Sequence, residues 1–232
     1  MNRFYNENAR EGTHVLSEEE SRHCSLILRH QEGDKIVILD GKGGIHKSLL
    51  TQINKRSCKY EILESNYAEK KDFEVHLVIA PTKNIDRIEW LIEKLEETGI
   101  DKITFIETQN SERRKLRLER LEKKAISAMK QSGSPFLIEI NNLTNFNSAV
   151  STINDRIKLI ANVNMSNTHI SQHLKPNENT TILIGPEGDF SDDELRIAKG
   201  WGFIPTSLGN NTLRTETAGL MACSFINFIN RF

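Results

Sequence analysis

The alternation of short apolar runs with amphipathic segments after Phe73 limits the possible folds more than any other feature of this 232-residue chain. Residues 75–80 form an apolar run of the length expected for a strand that is covered on both faces. Four apolar residues then recur at the spacing of one helix face, and the pattern stops at Gly99: Ile88, Leu91, Ile92 and Leu95. A second strand is predicted over residues 102–106. The segment therefore predicts a βαβ unit with parallel strands.

The chain before this segment follows a different pattern, that of short strands. Residues 35–39 and 49–53 have the pattern of short strands and flank a glycine-rich turn beginning at Asp40, which predicts a hairpin. Ser17, with Glu20 three positions later, has the spacing of a capping box and predicts one helix. Because about 65 residues of short strands need closure to protect their edges, we expect a small barrel with an inserted helix. The polar stretch 65–72 marks a boundary, so the predicted domains are residues 1–68 and 72–232.

The rest of the second domain is predicted to continue the α/β pattern. A basic helix is expected to begin at Ser111 and to end at Pro135. Further strands are predicted over residues 136–140, 157–163, 181–184 and 204–208. The last helix, from about residue 215 to 229, is apolar around much of its circumference, so its own sheet or another subunit must cover it.

Charge is segregated along a chain that is nearly neutral overall. Residues 111–131 carry eight Lys and Arg against three acids, whereas residues 72–99 carry seven acids against three bases. The overall net charge of −1 argues against indiscriminate nucleic-acid binding. The local surplus leaves room for a basic contact patch, the alternative being a solvated helix face.

Several other classes of protein are disfavoured. No apolar run approaches the roughly 20 residues of a membrane span, and the first residues lack the apolar core of a signal peptide, so we expect a cytoplasmic protein without membrane contact. Cys24, Cys58 and Cys223 are far apart, which disfavours a disulfide framework or a thiolate zinc site. His169 and His173 have the spacing of a zinc pair but lack the glutamate of a zinc protease, so no metal is predicted.

Two glycine-bearing loops each follow a predicted strand and precede a predicted helix. The first contains Gly185 and Gly188 and leads to Ser191, which has Glu194 at capping-box spacing. The second is residues 207–214, with Gly209. Ligands bind at the carboxyl ends of strands in open α/β sheets, so the two loops together predict a pocket. Neither loop matches a phosphate-binding fingerprint, which favours a smaller and less anionic ligand than a nucleotide polyphosphate. The alternative for the first loop alone is a simple tight turn.

At these residues the sequence resembles the RsmE family of ribosomal RNA methyltransferases in the SPOUT superfamily. The resemblance rests on the first loop with Phe190, Ser191 and Glu194, on Leu208 and Gly209, and on residues 213–218; it extends over almost the whole chain, including Arg3, Phe4 and residues 23–29. It implies an α/β fold in which a small N-terminal PUA-like β-barrel precedes a SPOUT domain with a C-terminal trefoil knot. It also implies a homodimer that uses S-adenosyl-L-methionine to methylate N3 of a uridine in 16S ribosomal RNA of the small subunit.

The resemblance also assigns residues. The implied cofactor-binding residues are Ile184, Gly185, Pro186, Glu187, Gly188, Leu208, Gly209, Thr212 and Leu213. Arg214 and Glu216 are the implied catalytic residues. Arg214 suits the stabilisation of charge on the uracil ring, and the acceptor of the N3 proton is left open among Glu216, Glu187 and a water. The predicted RNA contacts are Arg3, His23, Arg29, Arg113, Arg114, Lys115 and Arg117. A hydrogen-bonded surface histidine is the alternative for His23.

The sequence departs from the family pattern at two places, and two other functions stay open. Asp189 stands where a third glycine is usual, and Asn210, Asn211 and Thr212 replace a stretch that often carries an arginine. One alternative is a non-catalytic RNA-binding or ribosome-assembly module of the same fold. The other is a SPOUT methyltransferase that acts on another RNA position. The glycines in both loops favour catalysis.

Overall fold

Two sheets organise the described part of the chain, which comprises residues 1–11, 14–162 and 168–231 of a computed structural model. The residues separate into two units: Met1–Lys70 with Ile126–Leu137, and Lys71–Ala125 with Ile138–Phe232. Within the described residues, no helix combines the length and the apolar character that crossing a bilayer requires.

The first unit is built on a four-stranded sheet in the order β1-β2-β3-β4. Its elements are β1 (Arg3–Tyr5), α1 (Glu18–Arg22), β2 (Lys35–Leu39), β3 (Gly44–Gln52) and β4 (Lys59–Tyr67). The predicted hairpin is confirmed, because β2 pairs with β3 antiparallel. β3 begins at Gly44, earlier than predicted, because the buried carboxylate of Asp40 accepts hydrogen bonds of 2.7 Å from the amides of Lys42 and Gly44 and tightens the turn.

The predicted helix of the first unit is present as α1, which continues into a π-helical turn, His23–Ile27. Ser17 Oγ accepts a hydrogen bond of 3.2 Å from the amide of Glu20, as its position predicts. The Glu20 carboxylate contacts Lys130 Nζ. The apolar residues beneath the sheet and the helix are buried together: Phe4, Leu16, Ile36, Ile38, Leu50 and Tyr60.

The second unit contains a six-stranded, entirely parallel sheet in the order β10-β8-β9-β5-β6-β7. Its strands are β5 (Val75–Ile79), β6 (Lys102–Glu107), β7 (Glu139–Asn145), β8 (Ile157–Ala161), β9 (Thr180–Ile184) and β10 (Ile204–Thr206). Its helices are α2 (Ile85–Thr98), α4 (Phe146–Thr152), α5 (Asp192–Gly200) and α6 (Thr215–Arg231), and α3 (Leu118–Ser132) is shared between the two units. The parallel β5-α2-β6 unit is confirmed, and α2 ends at Gly99, whose φ is 73°.

Apolar side chains cover both faces of this sheet. On one face, Val78 and Ile106 pack with Phe146 of α4 and Leu195 of α5. On the other, α6 packs against α2 and β5. A Cβ at Gly219 would lie 3.2 Å from the side chains of Leu77 and Ile79, so the glycine allows the close approach of α6. The sheet therefore covers much of the last helix, although Met221 and Phe228 remain exposed.

The predicted helix start at Ser111 is wrong. α3 begins at Leu118, and the Ser111 hydroxyl contacts Thr108 Oγ1 at 2.8 Å instead of capping a helix. The strand predicted over residues 136–140 is displaced to β7, which begins at Glu139. β8 and β10 are shorter than predicted, and Val163, the last residue of one predicted strand, lies outside the described residues.

Candidate functional site

A pocket of about 750 Å³ opens at the carboxyl edge of the large sheet. The strands β8, β9 and β10 end there, at Ala161, Ile184 and Thr206. Its walls come from these strand ends, from the loops 185–189 and 207–214, and from the first turn of α6. The two glycine-bearing loops singled out in the sequence therefore face the same space. Small-molecule sites occupy this position in open α/β sheets.

The first loop makes a tight turn closed by a hydrogen bond of 3.0 Å from the Asp189 amide to the Pro186 carbonyl. Asp189 has a φ of 57°, in the left-handed region that glycine adopts most readily. Its carboxylate accepts hydrogen bonds from the amide of Phe190 at 2.7 Å and from Asn162 Nδ2 at 2.9 Å. These bonds let an aspartate occupy a left-handed position, because short polar side chains that bond locally tolerate it. The turn is therefore formed without the third glycine.

The segment after β6 holds the first loop from outside the pocket. Asn110 Nδ2 donates hydrogen bonds of 3.0 Å to the carbonyls of Gly188 and Asp189. Ser191 and Glu194 form the complete predicted capping box at the start of α5, and Glu194 Oε1 also accepts from the amide of Gln109 at 2.8 Å. The C-terminal end of the loop is thereby fixed.

The second loop is anchored at its beginning. The Ser207 carbonyl accepts from the amide of Ile170 at 2.9 Å, and Ser207 Oγ lies 3.2 Å from the Gly209 amide, which donates to it. Gly209 has a φ of 135°, a conformation that is essentially restricted to glycine. Leu208, Thr212 and Leu213 complete this wall of the pocket.

Arg214 lies at the mouth of the pocket, immediately before α6. Its carbonyl accepts the first bond of the helix, 2.8 Å from the Ala218 amide. The side chain is exposed, and no ion pair or hydrogen bond joins it to another described residue. The amino end of a helix carries partial positive charge, so the guanidinium and the α6 terminus together make this wall electropositive.

The structure separates the two carboxylates that the sequence offered as proton acceptors. Glu187 lines the pocket, and its Oε1 accepts a hydrogen bond of 3.2 Å from the amide of Lys83. Glu216 is buried outside the pocket wall, with Oε1 3.7 Å from Nε of Arg87 on α2. Of the two, only Glu187 faces the pocket.

Eight of the nine predicted cofactor residues line the pocket. They are Ile184, Gly185, Pro186, Glu187, Leu208, Gly209, Thr212 and Leu213. Gly188 does not; a Cβ there would lie 3.2 Å from Asn110 Cβ. Ala161 and Asn162 at the end of β8 also line it and were not predicted, although the strand predicted there was a signal that a third carboxyl end would meet the two loops.

Part of the charge segregation seen in the sequence is an internal pairing of the second unit. Lys124 of α3 lies 2.6 Å from Glu93 of α2, and Arg120 contacts Glu89. Arg114 lies 3.3 Å from Glu107.

Arg113, Lys115 and Arg117 differ in their surroundings. Arg113 is half-buried and donates to the carbonyls of Thr82, at 3.0 Å, and Lys83. Lys115 and Arg117 are exposed, and within the described ranges neither side chain has an ion pair or a hydrogen bond. In this segment the cations available to an external anion are therefore Lys115 and Arg117.

The predicted RNA contacts of the first unit also differ from one another. The Arg3 guanidinium donates to the carbonyls of Lys130 and Gln131 at 3.1 and 3.0 Å, so it caps the carboxyl end of α3. His23 and Arg29 are exposed beside the π-helical turn. No group of three His, Cys, Asp or Glu side chains suited to a metal ion occurs among the residues that the structure describes.

Comparisons with known proteins agree with this geometry. A family model for an RNA methyltransferase domain matches residues 69–227, and one for an RNA methyltransferase PUA domain matches residues 16–63. A probable rRNA-methyltransferase from Porphyromonas gingivalis has a similar crystal structure, with 36% identity, a TM-score of 0.93, and 99% of this chain and 98% of that chain covered.

Two further relatives are both named ribosomal RNA small subunit methyltransferase E. A ribosomal RNA small subunit methyltransferase E from Neisseria gonorrhoeae, solved bound to S-adenosyl methionine, is 26% identical with a TM-score of 0.89, covering 99% of this chain and 98% of that chain. The ribosomal RNA small subunit methyltransferase E of Rickettsia conorii is 28% identical, over 93% of this chain and 89% of the relative.

Proposed function

The chain belongs to the RNA methyltransferase family whose members include ribosomal RNA small subunit methyltransferase E, and we propose that it methylates N3 of a uridine in 16S ribosomal RNA. The methyl donor in this proposal is S-adenosyl-L-methionine. The observation that carries the proposal is the pocket formed by both loops, with Arg214 at its mouth.

The residues of the pocket suit this donor. The volume of about 750 Å³ lies within the range of small-molecule sites. Ile184, Leu208 and Leu213 offer apolar contacts, and the loop amides and carbonyls offer hydrogen bonds. The carboxylates of Glu187 and Asp189 line the same pocket and complement the positive charge of a sulfonium.

S-adenosylmethionine held in this pocket would supply an electrophilic methyl group, and its methyl–sulfur bond would break as the bond to uracil N3 forms. Uracil N3 carries a proton and is a poor nucleophile until negative charge develops on the ring. Arg214 stabilises that charge as a fixed cation, since its high pKa makes it a poor base. Glu187 accepts the N3 proton through Oε2, because Oε1 already accepts from the Lys83 amide. The proposed steps require no metal.

The target uridine is presented unpaired or flipped out of the RNA, because N3 is otherwise blocked by base pairing. Lys115 and Arg117, with His23 and Arg29, contact the RNA backbone.

The proposal includes domains 1–68 for RNA binding and 72–232 for cofactor binding and dimerisation. It also includes a closed N-terminal barrel, a C-terminal trefoil knot and a cytoplasmic location. Support for a homodimer comes from Met221 and Phe228, apolar residues of α6 that are 38% and 61% exposed.

The decisive experiment is methyl transfer from labelled S-adenosylmethionine to small ribosomal subunits from a strain lacking this protein, with the product located by mass spectrometry. We expect one N3-methyluridine in 16S RNA. Arg214→Ala should still bind S-adenosylmethionine in calorimetry but transfer about 10²- to 10³-fold more slowly, as for loss of one charge-stabilising donor. Absence of any binding heat for the wild type would support the non-catalytic alternative, and a methyl group at another position would support a different specificity.

A further inference from the structure

Arg113 is the one cation of the segment 113–117 whose side chain is directed at main-chain carbonyls. Its Nε donates to the Thr82 carbonyl at 3.0 Å and its Nη2 to the Lys83 carbonyl. An arginine that donates to two adjacent carbonyls is fixed in orientation by its planar fork of donors. The Arg113 guanidinium is therefore turned to the main chain of residues 82–83, whereas Lys115 and Arg117 are exposed.

The segment that Arg113 holds connects β5 to α2 and is joined to a residue of the pocket wall, Glu187. The Thr82 side chain is fully buried, and its hydroxyl donates to the Asn84 carbonyl at 2.8 Å. Asn84 in turn caps α2 by accepting from the Asp86 amide at 3.0 Å. The chain direction at Lys83 is thus fixed on both sides.

Lys83 is the link between this segment and the pocket. Its amide donates to Glu187 Oε1 at 3.2 Å, while its Nζ lies 2.8 Å from Glu112. The hydrogen bond that Lys83 Nζ donates to Glu112, followed by the charges of Glu112 and Glu187, raises the pKa of Lys83. The Lys83 side chain is therefore turned to Glu112, and the main-chain amide is the group that orients Glu187.

We propose that Arg113 is a positioning residue for methyl transfer: it fixes the 82–83 carbonyls so that the Lys83 amide holds the Glu187 carboxylate at the pocket. This inference rests on the proposed function, in which Glu187 accepts the N3 proton. It replaces the prediction that Arg113 contacts RNA, because the guanidinium donors directed at Thr82 and Lys83 are not directed at a phosphate.

The test compares Arg113→Ala, Arg113→Lys and Glu187→Gln with the wild type, using small ribosomal subunits and S-adenosylmethionine. In Arg113→Ala we expect kcat to fall about 10- to 100-fold, the effect of a small misplacement of a catalytic group, with the KM for RNA unchanged. Arg113→Lys should recover part of kcat, because an ammonium still donates to the carbonyls. An increase in KM with kcat unchanged would overturn the inference and return Arg113 to the RNA contact surface.

The pH profile distinguishes positioning from a purely structural role. The wild-type rate should be flat near neutral pH, because a positioned carboxylate base removes the N3 proton without hydroxide. Without a positioned base, hydroxide must remove the proton, so the rates of Glu187→Gln and Arg113→Ala should both rise about tenfold per pH unit. A flat profile in Arg113→Ala would overturn the inference even if its kcat is low.

Hydrogen exchange supplies a readout independent of activity. The Lys83 amide should exchange faster in Arg113→Ala than in the wild type, whereas equal rates would contradict the proposed link. Arg156→Ala is the matched control. Arg156 is exposed, lies 2.9 Å from Glu178, and immediately precedes β8, at the amino end of the strand and therefore opposite the pocket. It should leave the rate, the pH profile and the exchange of Lys83 unchanged. Should Arg113→Ala not fold, Arg113→Lys must show a partial decrease in kcat and partly faster exchange.

The outcomes also separate the inference from the function on which it rests. If wild-type protein transfers no methyl group to the small subunit, both are wrong. If the wild type is active and Arg113→Ala keeps its kcat and flat pH profile, only the positioning role is wrong.

Discussion

Asn162 Nδ2 donates a hydrogen bond of 2.9 Å to Oδ2 of Asp189, joining the end of β8 to the loop that follows β9. The bond connects two walls of one pocket and compensates for a non-glycine residue at a φ of 57°. The departure from the family pattern at Asp189 is therefore coupled to Asn162, a residue 27 positions earlier in the chain.

Substitutions at Asp189 should separate its backbone conformation from its side-chain bonds. Asp189→Ala loses both bonds and keeps the left-handed strain, so we expect the free energy of unfolding to fall by about 2 kcal/mol. Asp189→Gly loses the bonds but relieves the strain and should cost less than about 1 kcal/mol. Urea denaturation measures both variants. Equal stability of the Ala and Gly variants would show that the backbone conformation is not strained.

Gly209 should tolerate no side chain, although a Cβ at this position would have no other atom within 4 Å. Its φ of 135° alone makes alanine strained by about 1–3 kcal/mol, so Gly209→Ala should displace the second loop and weaken S-adenosylmethionine binding about tenfold or more. Gly200→Ala is the control, since Gly200 also has open space but no unusual φ. Calorimetry should show wild-type affinity for Gly200→Ala; equal weakening would refute the conformational argument.

Salt titrations of RNA binding should distinguish free cations from paired ones. Replacing both Lys115 and Arg117 by alanine should reduce the slope of log affinity against log salt by about 2, because about one phosphate contact is lost per residue. Lys124→Ala should leave the slope unchanged, since Glu93 lies 2.6 Å from its ammonium. The opposite ranking would place the RNA on the α3 face instead.

His76 should make the protein less stable in mild acid. Burial, followed by the charge of Lys102, lowers its pKa from 6.5 to about 4, while Asp155, Glu139 and Glu74 act in the opposite direction. The unfolded chain therefore binds more protons between these values, so the stabilisation is complete above pH 6.5 and is lost as the pH falls toward 4. The expected loss between about pH 7 and pH 5 is about 2 kcal/mol.

Urea denaturation of wild type and His76→Gln at both pH values measures the contribution of His76 to the pH dependence of the free energy of unfolding. The glutamine variant should lack that part of the pH dependence, whereas other groups, including His46, contribute to both proteins and cancel in the difference. Parallel pH curves for the two proteins would show that His76 is not responsible.

The sequence predicts best where local signals and tertiary contacts agree. The stripe of Ile88, Leu91, Ile92 and Leu95 is buried on α2. Ser191 and Glu194 form the predicted capping box at the start of α5. The prediction fails where a distant partner decides. Serine is a residue type that often caps the start of a helix, but the Ser111 hydroxyl contacts Thr108 instead. The residues that follow are not helical, and Arg113 donates to the main-chain carbonyls of residues 82 and 83.

The pocket was predictable as a meeting of two loops because both follow strands of one parallel sheet. The separation of Glu187 from Glu216 was not, since it depends on the side to which the first turn of α6 directs Glu216, toward Arg87. Charge counting likewise revealed that acids and bases are segregated. It did not reveal that α2 and α3 pair them, because only the packed helices place Glu93 beside Lys124.

The first unit is discontinuous, and this affects the order in which it can fold during synthesis. Residues 126–137 belong to it, with the amide of Gly43 donating to the carbonyl of Pro135 at 2.8 Å and Arg3 donating to that of Lys130. Between Lys70 and Leu137 the ribosome must add 67 residues, which takes roughly 3–13 s at about 5–20 residues per second. Chains whose synthesis stops before residue 137 lack part of the first unit. In such chains we expect this unit to remain incompletely folded and accessible to chaperones and proteases.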